Sequence, residues 1–462
     1  MSSFPSPAAA QSGAGVTRRL AAAIARAAPL NDAAAIAAAR RGVLDFLAAA
    51  FAGANDAGYR KLLAVIGEGS RGDAAVIGHP ETGRPHSLNA LDAALVNGYA
   101  GHALDYDDVH SSVRGHPSTV LLPALFALAQ TERRSAYDLL AAYVVGVETM
   151  ARLGLALGSR HYERGFHNTA TLGALGAAAA ASFLLGLDAA AIDNALGLAA
   201  TQAAGLRLQF GSEAKPLHAG QAARAGLLSA RLAAAGLQGS PAALDGPEGF
   251  FAVFGDGAAQ PERALEGWGA PWQIVAPGLY FKPWPCCTAT HYAVHAALTL
   301  REAHRLAPGD IERAVVTFPP GGDTPLSHRA PSTGLEGRFS VEYALAAALI
   351  DGALSVATFA DVPVRADLAA FAQRVTRAYD ATAPRASTDP ATRFSTVEIT
   401  LRGGAVLRHK TDRLHSADDL RAKFADAVGH DPAFATLPAF VDTMETAGDL
   451  AILFQAFPRI HA

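Results

Sequence analysis

Cysteine is almost absent from this 462-residue chain: there are two, Cys286 and Cys287, side by side. Adjacent cysteines rarely close a structural disulfide, so a reducing cytoplasmic location is the expectation. Two thiolates are also too few for an ordinary iron–sulfur cluster. Charge is scarce: Asp, Glu, Lys and Arg make up 17% of residues and hydrophobic residues 50%. An average protein is about a quarter charged, so the deficit suits large apolar interfaces within the chain or between subunits. The net charge of −4 offers no basic face for nucleic acid or an anionic membrane. No repeat with a period of roughly 20–50 residues is visible, which argues against a solenoid. Residues 1–16 lack the basic-then-apolar layout of a signal peptide and, being rich in Ser, Ala, Pro and Gly, read as a disordered tail.

What remains is helix-forming. From residue 17 to about 275, Ala, Leu and Arg dominate and β-branched residues are few. The uncharged run Ala170–Leu187 is mostly Ala and Gly, too weakly hydrophobic for a membrane span, and is predicted to be a packed core helix. Leu88, Leu91, Leu95, Tyr99 and His102 recur at helical spacing, with Ser87 as the expected cap. That helix runs into Gly101-His-Ala-Leu-Asp-Tyr-Asp-Asp-Val-His110 and on to Gly115-His-Pro-Ser-Thr119. Asp105, Asp107, Asp108, His102, His110 and His116 thus crowd into one short stretch.

Two more polar islands interrupt the helices. Arg164-Gly-Phe-His-Asn-Thr169 precedes the Ala-rich helix. In Gly205–Gly220, Lys215 stands directly before Pro216. Proline suits the first helical position, which would place Lys215 at the N-cap, where a lysine and unpaired N–H groups attract an anion. A plain surface lysine at a helix start is the alternative.

Near residue 275 the composition changes. Ile274–Phe281, Ile311–Phe318 and Val397–Leu401 read as strands, the last turning at Gly403-Gly404 into a hairpin with Ala405–Lys410. Helices are predicted from about Thr290 through Leu300 and from Ser340 to Gly352. Ser416 with Asp419 resembles a capping box, after which C-terminal helices rejoin the first domain. The expected division is a tail (1–16), a helical domain (17–275), an inserted α+β lid (276–411) and a C-terminal helical part (412–462). The overall class is mainly α.

The ordered series His102-Ala-Leu-Asp-Tyr-Asp-Asp108, His116-Pro-Ser, Lys215-Pro-Leu-His-Ala-Gly220, Lys282-Pro-Trp-Pro and Arg338-Phe-Ser-Val-Glu-Tyr343 resembles the MmgE/PrpD family. That family includes 2-methylcitrate dehydratase, cis-aconitate decarboxylase and iminodisuccinate epimerase. The resemblance implies a homodimer, a lid over a helical domain, and a small di- or tricarboxylate substrate handled without cofactor or metal. It places site residues at Asp105, His116, His167, Lys215, Lys282 and Tyr343. Arg114 is a further candidate for clamping a carboxylate. On this reading Lys215 and Lys282 offset charge developing beside a carboxylate. His116 and His167 move protons, and Tyr343 donates to an oxyanion. Val109 stands near a threonine of the decarboxylase branch, and the loop from Asp105 to His116 is one residue longer. The sequence therefore ranks dehydration first, epimerisation second and decarboxylation third, with a non-catalytic carboxylate binder as the other class.

Overall fold

Ala- and Leu-rich segments lose little side-chain entropy on becoming helical. In the computed structural model, which describes residues 15–78, 87–386 and 390–457, they form a stack of helices. These are α1 (Val16–Ala25), α2 (Ala33–Gly53), α3 (Ala57–Gly67), α4 (Ala90–His102), α5 (Ser118–Thr131), α6 (Ala136–Leu157), α7 (Asn168–Leu185), α8 (Ala189–Ala200) and α9 (Ala214–Ala234). Most of the expected N-terminal tail lies outside the described residues, and Val16 already opens α1. Both α6 and α7 are long and apolar enough to cross a membrane, yet both are buried inside the molecule.

Small residues bring the helices together. A Cβ on Gly220 of α9 would lie 2.1 Å from the Leu95 carbonyl oxygen of α4, and one on Gly98 would lie 2.7 Å from Gly220 Cα. Only glycine fits that crossing, and it fixes the start of α9 against the end of α4.

The inserted segment contains α10 (Thr288–His304) and α11 (Val341–Ile350), with a sheet of β1 (Ile311–Phe318), β2 (Val375–Tyr379), β3 (Ser395–Leu401) and β4 (Val406–Thr411). The spatial order is β2-β1-β3-β4; β1 and β2 are parallel and the other pairs antiparallel. The chain then forms α12 (Leu420–Ala427) and α13 (Ala447–Ala456). One hydrophobic cluster joins Val16–Phe281 to Leu420–Phe457; a second runs from Cys286 to Ile399. The molecule is mainly α with a small α+β part.

Several local expectations change. Ile274–Phe281 is not a strand: Ile274–Gly278 forms a π-helical turn, because Pro277 lacks a donor and Gly278 adopts φ +86°. Asn89 rather than Ser87 caps α4. Helix α9 starts two residues earlier than Pro216 suggests: Lys215 is inside its first turn, and its N–H bonds the Ser212 carbonyl. Asp419 caps α12, while the Ser416 hydroxyl accepts the Phe281 N–H. Strand β2 was not anticipated.

Candidate active site

Helix α4 ends at His102, and the chain turns through Ala103–Asp108 before α5. Carbonyls at a helix C-terminus need donors. Here long cationic side chains from the inserted segment supply them: Arg338 Nη1 donates to Ala103 O at 2.8 Å and Lys282 Nζ to Asp105 O at 2.8 Å. Asp105 itself is left-handed, with φ +53°. Its carboxylate meets two ammonium groups, Lys215 from α9 by a short hydrogen bond and Lys282 at 3.0 Å. All three residues are buried. Burial works against the Asp105 charge, but the two lysines outweigh it and hold the carboxyl well below its usual range. Burial likewise opposes charge on Lys282, and the carboxylates of Asp105 and Asp107 outweigh it, leaving that pKa raised.

Histidines form the next layer. His116 Nε2 lies 3.8 Å from Asp105 Oδ1, and its Nδ1 lies 3.3 Å from Asp107 Oδ2 without the alignment of a hydrogen bond. The same Asp107 oxygen is 2.8 Å from His102 Nδ1. His167, at the start of α7, stacks on His102 and shares a 3.2 Å contact between its Nδ1 and that of His218. One of those two nitrogens must donate and the other accept, so the tautomers are linked. Burial is the largest cause lowering each ring's pKa: His116 falls to about 3, with Lys282 and Lys215 adding to the effect, and His167 falls well below its ordinary value, with His102 and Lys215 adding. The site therefore holds neutral imidazoles at pH 7.

A cavity of about 560 Å³ opens over this cluster. Asp105, Arg114, His116, His167, Lys215 and Lys282 line it, together with apolar and aromatic walls that include Val109, Phe210, Leu279 and Tyr280. Tyr343 does not line it. Its hydroxyl donates to Thr358 O at 2.5 Å inside the inserted segment, so the oxyanion role expected for it has no geometric basis in this structure. Arg114 reaches the wall, but its guanidinium is engaged by the Gly158 carbonyl. Burial pushes the Cys286 thiol up to about 12 and raises Cys287, which suits neither as a nucleophile.

One ligand atom from each of His102, Asp105, Asp107 and His116 falls within 4.8 Å of the others, a spacing that could hold a metal ion. The two lysines change that reading. Each already pairs with Asp105, so a divalent cation would have to displace or oppose two ammonium groups.

Comparisons with known proteins identify the family. The MmgE/PrpD N-terminal domain model matches residues 18–262, and the MmgE/PrpD C-terminal domain model matches residues 284–430. The chain belongs to the MmgE/PrpD family. Its relatives in that family include cis-aconitate decarboxylase of Mus musculus, 30% identical over 432 residues, covering 89% of this chain and 86% of the relative. The Homo sapiens cis-aconitate decarboxylase is 30% identical over 437 residues, covering 89% and 87%. That of Aspergillus terreus (strain NIH 2624 / FGSC A1156) is 30% identical over 341 residues, covering 69% and 68%. MmgE/PrpD members of this type are enzymes, and the relatives found are lyases of small carboxylates.

The structure also gives contacts to residues that the sequence named only as members of the polar stretch or of the family motifs. His102 and Asp107 contact each other, and Asp107 also approaches His116. His218 contacts His167, and Arg338 braces the turn. His218 had a signal, since it follows Lys215 by three residues and so shares its helix face. Arg338 opens one of the family motifs, but its contact had no signal, because its partner is a backbone carbonyl 235 residues away.

Proposed function

We propose that the protein is a lyase that decarboxylates cis-aconitate or a close tricarboxylate analogue without a cofactor. One observation carries the reading: two buried ammonium groups share a single directly bonded carboxylate at the polar end of a largely apolar cavity. Asp105 offsets one positive charge and leaves the other for a substrate carboxylate. The identity of the relatives moves decarboxylation ahead of dehydration, which the sequence ranked first.

The chemistry follows from that charge. When the carbon–carbon bond to the departing carboxylate breaks, carbon dioxide leaves and the electron pair spreads over the allylic system into a remaining carboxylate. Lys215 and Lys282 stabilise that developing charge where water is scarce. A proton must then reach the far alkene carbon, and His116 or His167 supplies it. Both imidazoles are neutral. A bound tricarboxylate adds negative charge beside both rings and so favours the protonated form that burial disfavours, and the proton is taken up with the substrate. His218 orients His167, and the Asp107 carboxylate lies beside His116. A homodimer, as in the family, is part of this reading.

The test is cis-aconitate in heavy water, with released gas and the product mass measured. One carbon dioxide per substrate, with one deuterium in the product, is the expected result. Val109 on the cavity wall supports a second reading, because it lacks the hydroxyl that the decarboxylase branch carries there. Dehydration of 2-methylcitrate or deuterium exchange into iminodisuccinate, with no gas released from any substrate, would replace the first reading with the second.

A further inference from the structure

A third buried lysine touches the same turn from another part of the chain. Lys423 belongs to α12, and its side chain is 2% exposed. Its Nζ lies 2.6 Å from Asp45 Oδ1 of α2 and 2.7 Å from the carbonyl oxygen of Tyr106, and 4.0 Å from the centre of the Tyr106 ring. It does not line the cavity. Tyr106 stands between Asp105, which meets both site lysines, and Asp107, which approaches His116. Three cations thus hold carbonyls of one turn: Arg338 at Ala103, Lys282 at Asp105 and Lys423 at Tyr106. The first two lie in the inserted segment, and the third comes from the C-terminal one.

A left-handed aspartate persists only when its surroundings impose the conformation. Asp105 is such a residue. A buried ion pair adds little stability over apolar residues of equal volume, so a tie between α2 and α12 does not by itself call for Lys423. Its bond to the turn has a positional consequence instead. We infer that Lys423 is a positioning residue: by donating to the Tyr106 carbonyl it fixes the turn that aims Asp105 at Lys215 and Lys282. The site is then incomplete without α12, although α12 supplies no group to the cavity. This inference rests on the proposed role of the Asp105 cluster.

The experiment compares two variants. Lys423→Met/Asp45→Leu removes both charges while keeping volume. It is expected to fold with a melting temperature near wild type and to lose at least about tenfold in kcat, with KM within about threefold, because a displaced catalytic group costs rate more than binding. Its crystal structure should show Asp105 out of the left-handed region or away from Lys282. Asp45→Asn keeps an amide oxygen for Nζ and leaves the Tyr106 bond, and its kcat should stay within about threefold. A folded double variant with wild-type kcat and an unmoved Asp105 overturns the inference. So does a tenfold loss in Asp45→Asn with the Tyr106 bond intact, which also decides the matter if the double variant fails to fold. If wild-type enzyme turns over no tricarboxylate, the functional reading fails, and the position of Asp105 in the variant structures alone decides this one.

Discussion

Two buried lysine–aspartate centres lie on either side of one turn, and they behave in opposite ways. At the cavity, two lysines pair directly with one aspartate, and Asp107 acts from farther off: Asp105 is held well below its usual pKa and Lys282 is raised. At the α2–α12 side, one lysine faces Asp45 and feels Asp107 and Asp108: burial pushes Asp45 up to about 6 and Lys423 down. Burial penalises charge at both centres. The ratio of cations to carboxylates decides which side prevails. A surplus cation can greet an anionic substrate. A surplus of carboxyls is felt as a raised pKa: Asp108, which accepts a hydrogen bond from Ser118, is raised well above normal by burial and by Asp45.

Breaking the cavity centre should have the largest effect. Lys282→Met removes an ammonium that touches both the Asp105 carboxylate and its carbonyl. Turnover should fall at least about a thousandfold, the upper scale for one preorganised electrostatic donor; steady-state kinetics on the folded variant is the check. His116→Ala and His167→Ala come next, each with a loss of at least about a hundredfold, the scale of general acid–base groups. Near-normal turnover in either folded variant would remove that ring from the mechanism.

Stability against pH sharpens the comparison at smaller cost to the protein. His110 lines the cavity, and burial lowers its pKa to about 4. Below an unfolded value of about 6.5 the unfolded chain takes a proton that the folded chain refuses, so this group lowers stability as pH falls from about 6.5 to 4. His110→Gln should escape that loss, gaining on wild type by about 1.4 kcal/mol per pH unit in chemical denaturation. Asp45 has the opposite sign. Its folded pKa is raised, so its contribution is full below about 4 and is lost as pH rises through about 6. Asp45→Asn should gain on wild type in that rising direction. Parallel slopes for the two variants would break the contrast.

The smallest effects are expected where the structure departs from the family pattern. Tyr343→Phe loses one buried hydrogen bond to Thr358 and about 1 kcal/mol of stability, with turnover changed less than about threefold. A hundredfold loss would mean that Tyr343 leaves Thr358 and reaches substrate during the reaction. Exhaustive chelation should leave activity unchanged, because Lys215 and Lys282 already occupy Asp105. Activity lost on chelation and restored by one metal would contradict this.

Much of the site was legible because chemistry-bearing residues sat in recognisable local patterns. The stripe ending at His102 is a helix, the hairpin at Gly403-Gly404 is present, and Asp105, His116, His167, Lys215 and Lys282 share one cavity. The errors were of two physical kinds. Composition misled where backbone geometry ruled: Ile274–Phe281 looks like a strand, yet Pro277 and Gly278 bend it, and Ser87 and Ser416 look like caps, yet Asn89 and Asp419 reach the free N–H groups first. Contacts to backbone carbonyls left no trace at all. Arg338 at Ala103 and Lys423 at Tyr106 depend on where chain segments hundreds of residues apart come to rest. The same limit explains Tyr343, whose hydroxyl turns to the Thr358 carbonyl.

The central claim is that the two-lysine side of the turn receives the substrate. A crystal structure with cis-aconitate bound to a His116→Ala variant, slowed enough to retain it, tests this most directly. One substrate carboxylate is expected at hydrogen-bond distance, about 3 Å, from both Lys215 Nζ and Lys282 Nζ, with the Asp45–Lys423 pair unchanged. A tricarboxylate bound elsewhere in the cavity, with both lysines still paired only to Asp105, would contradict the account.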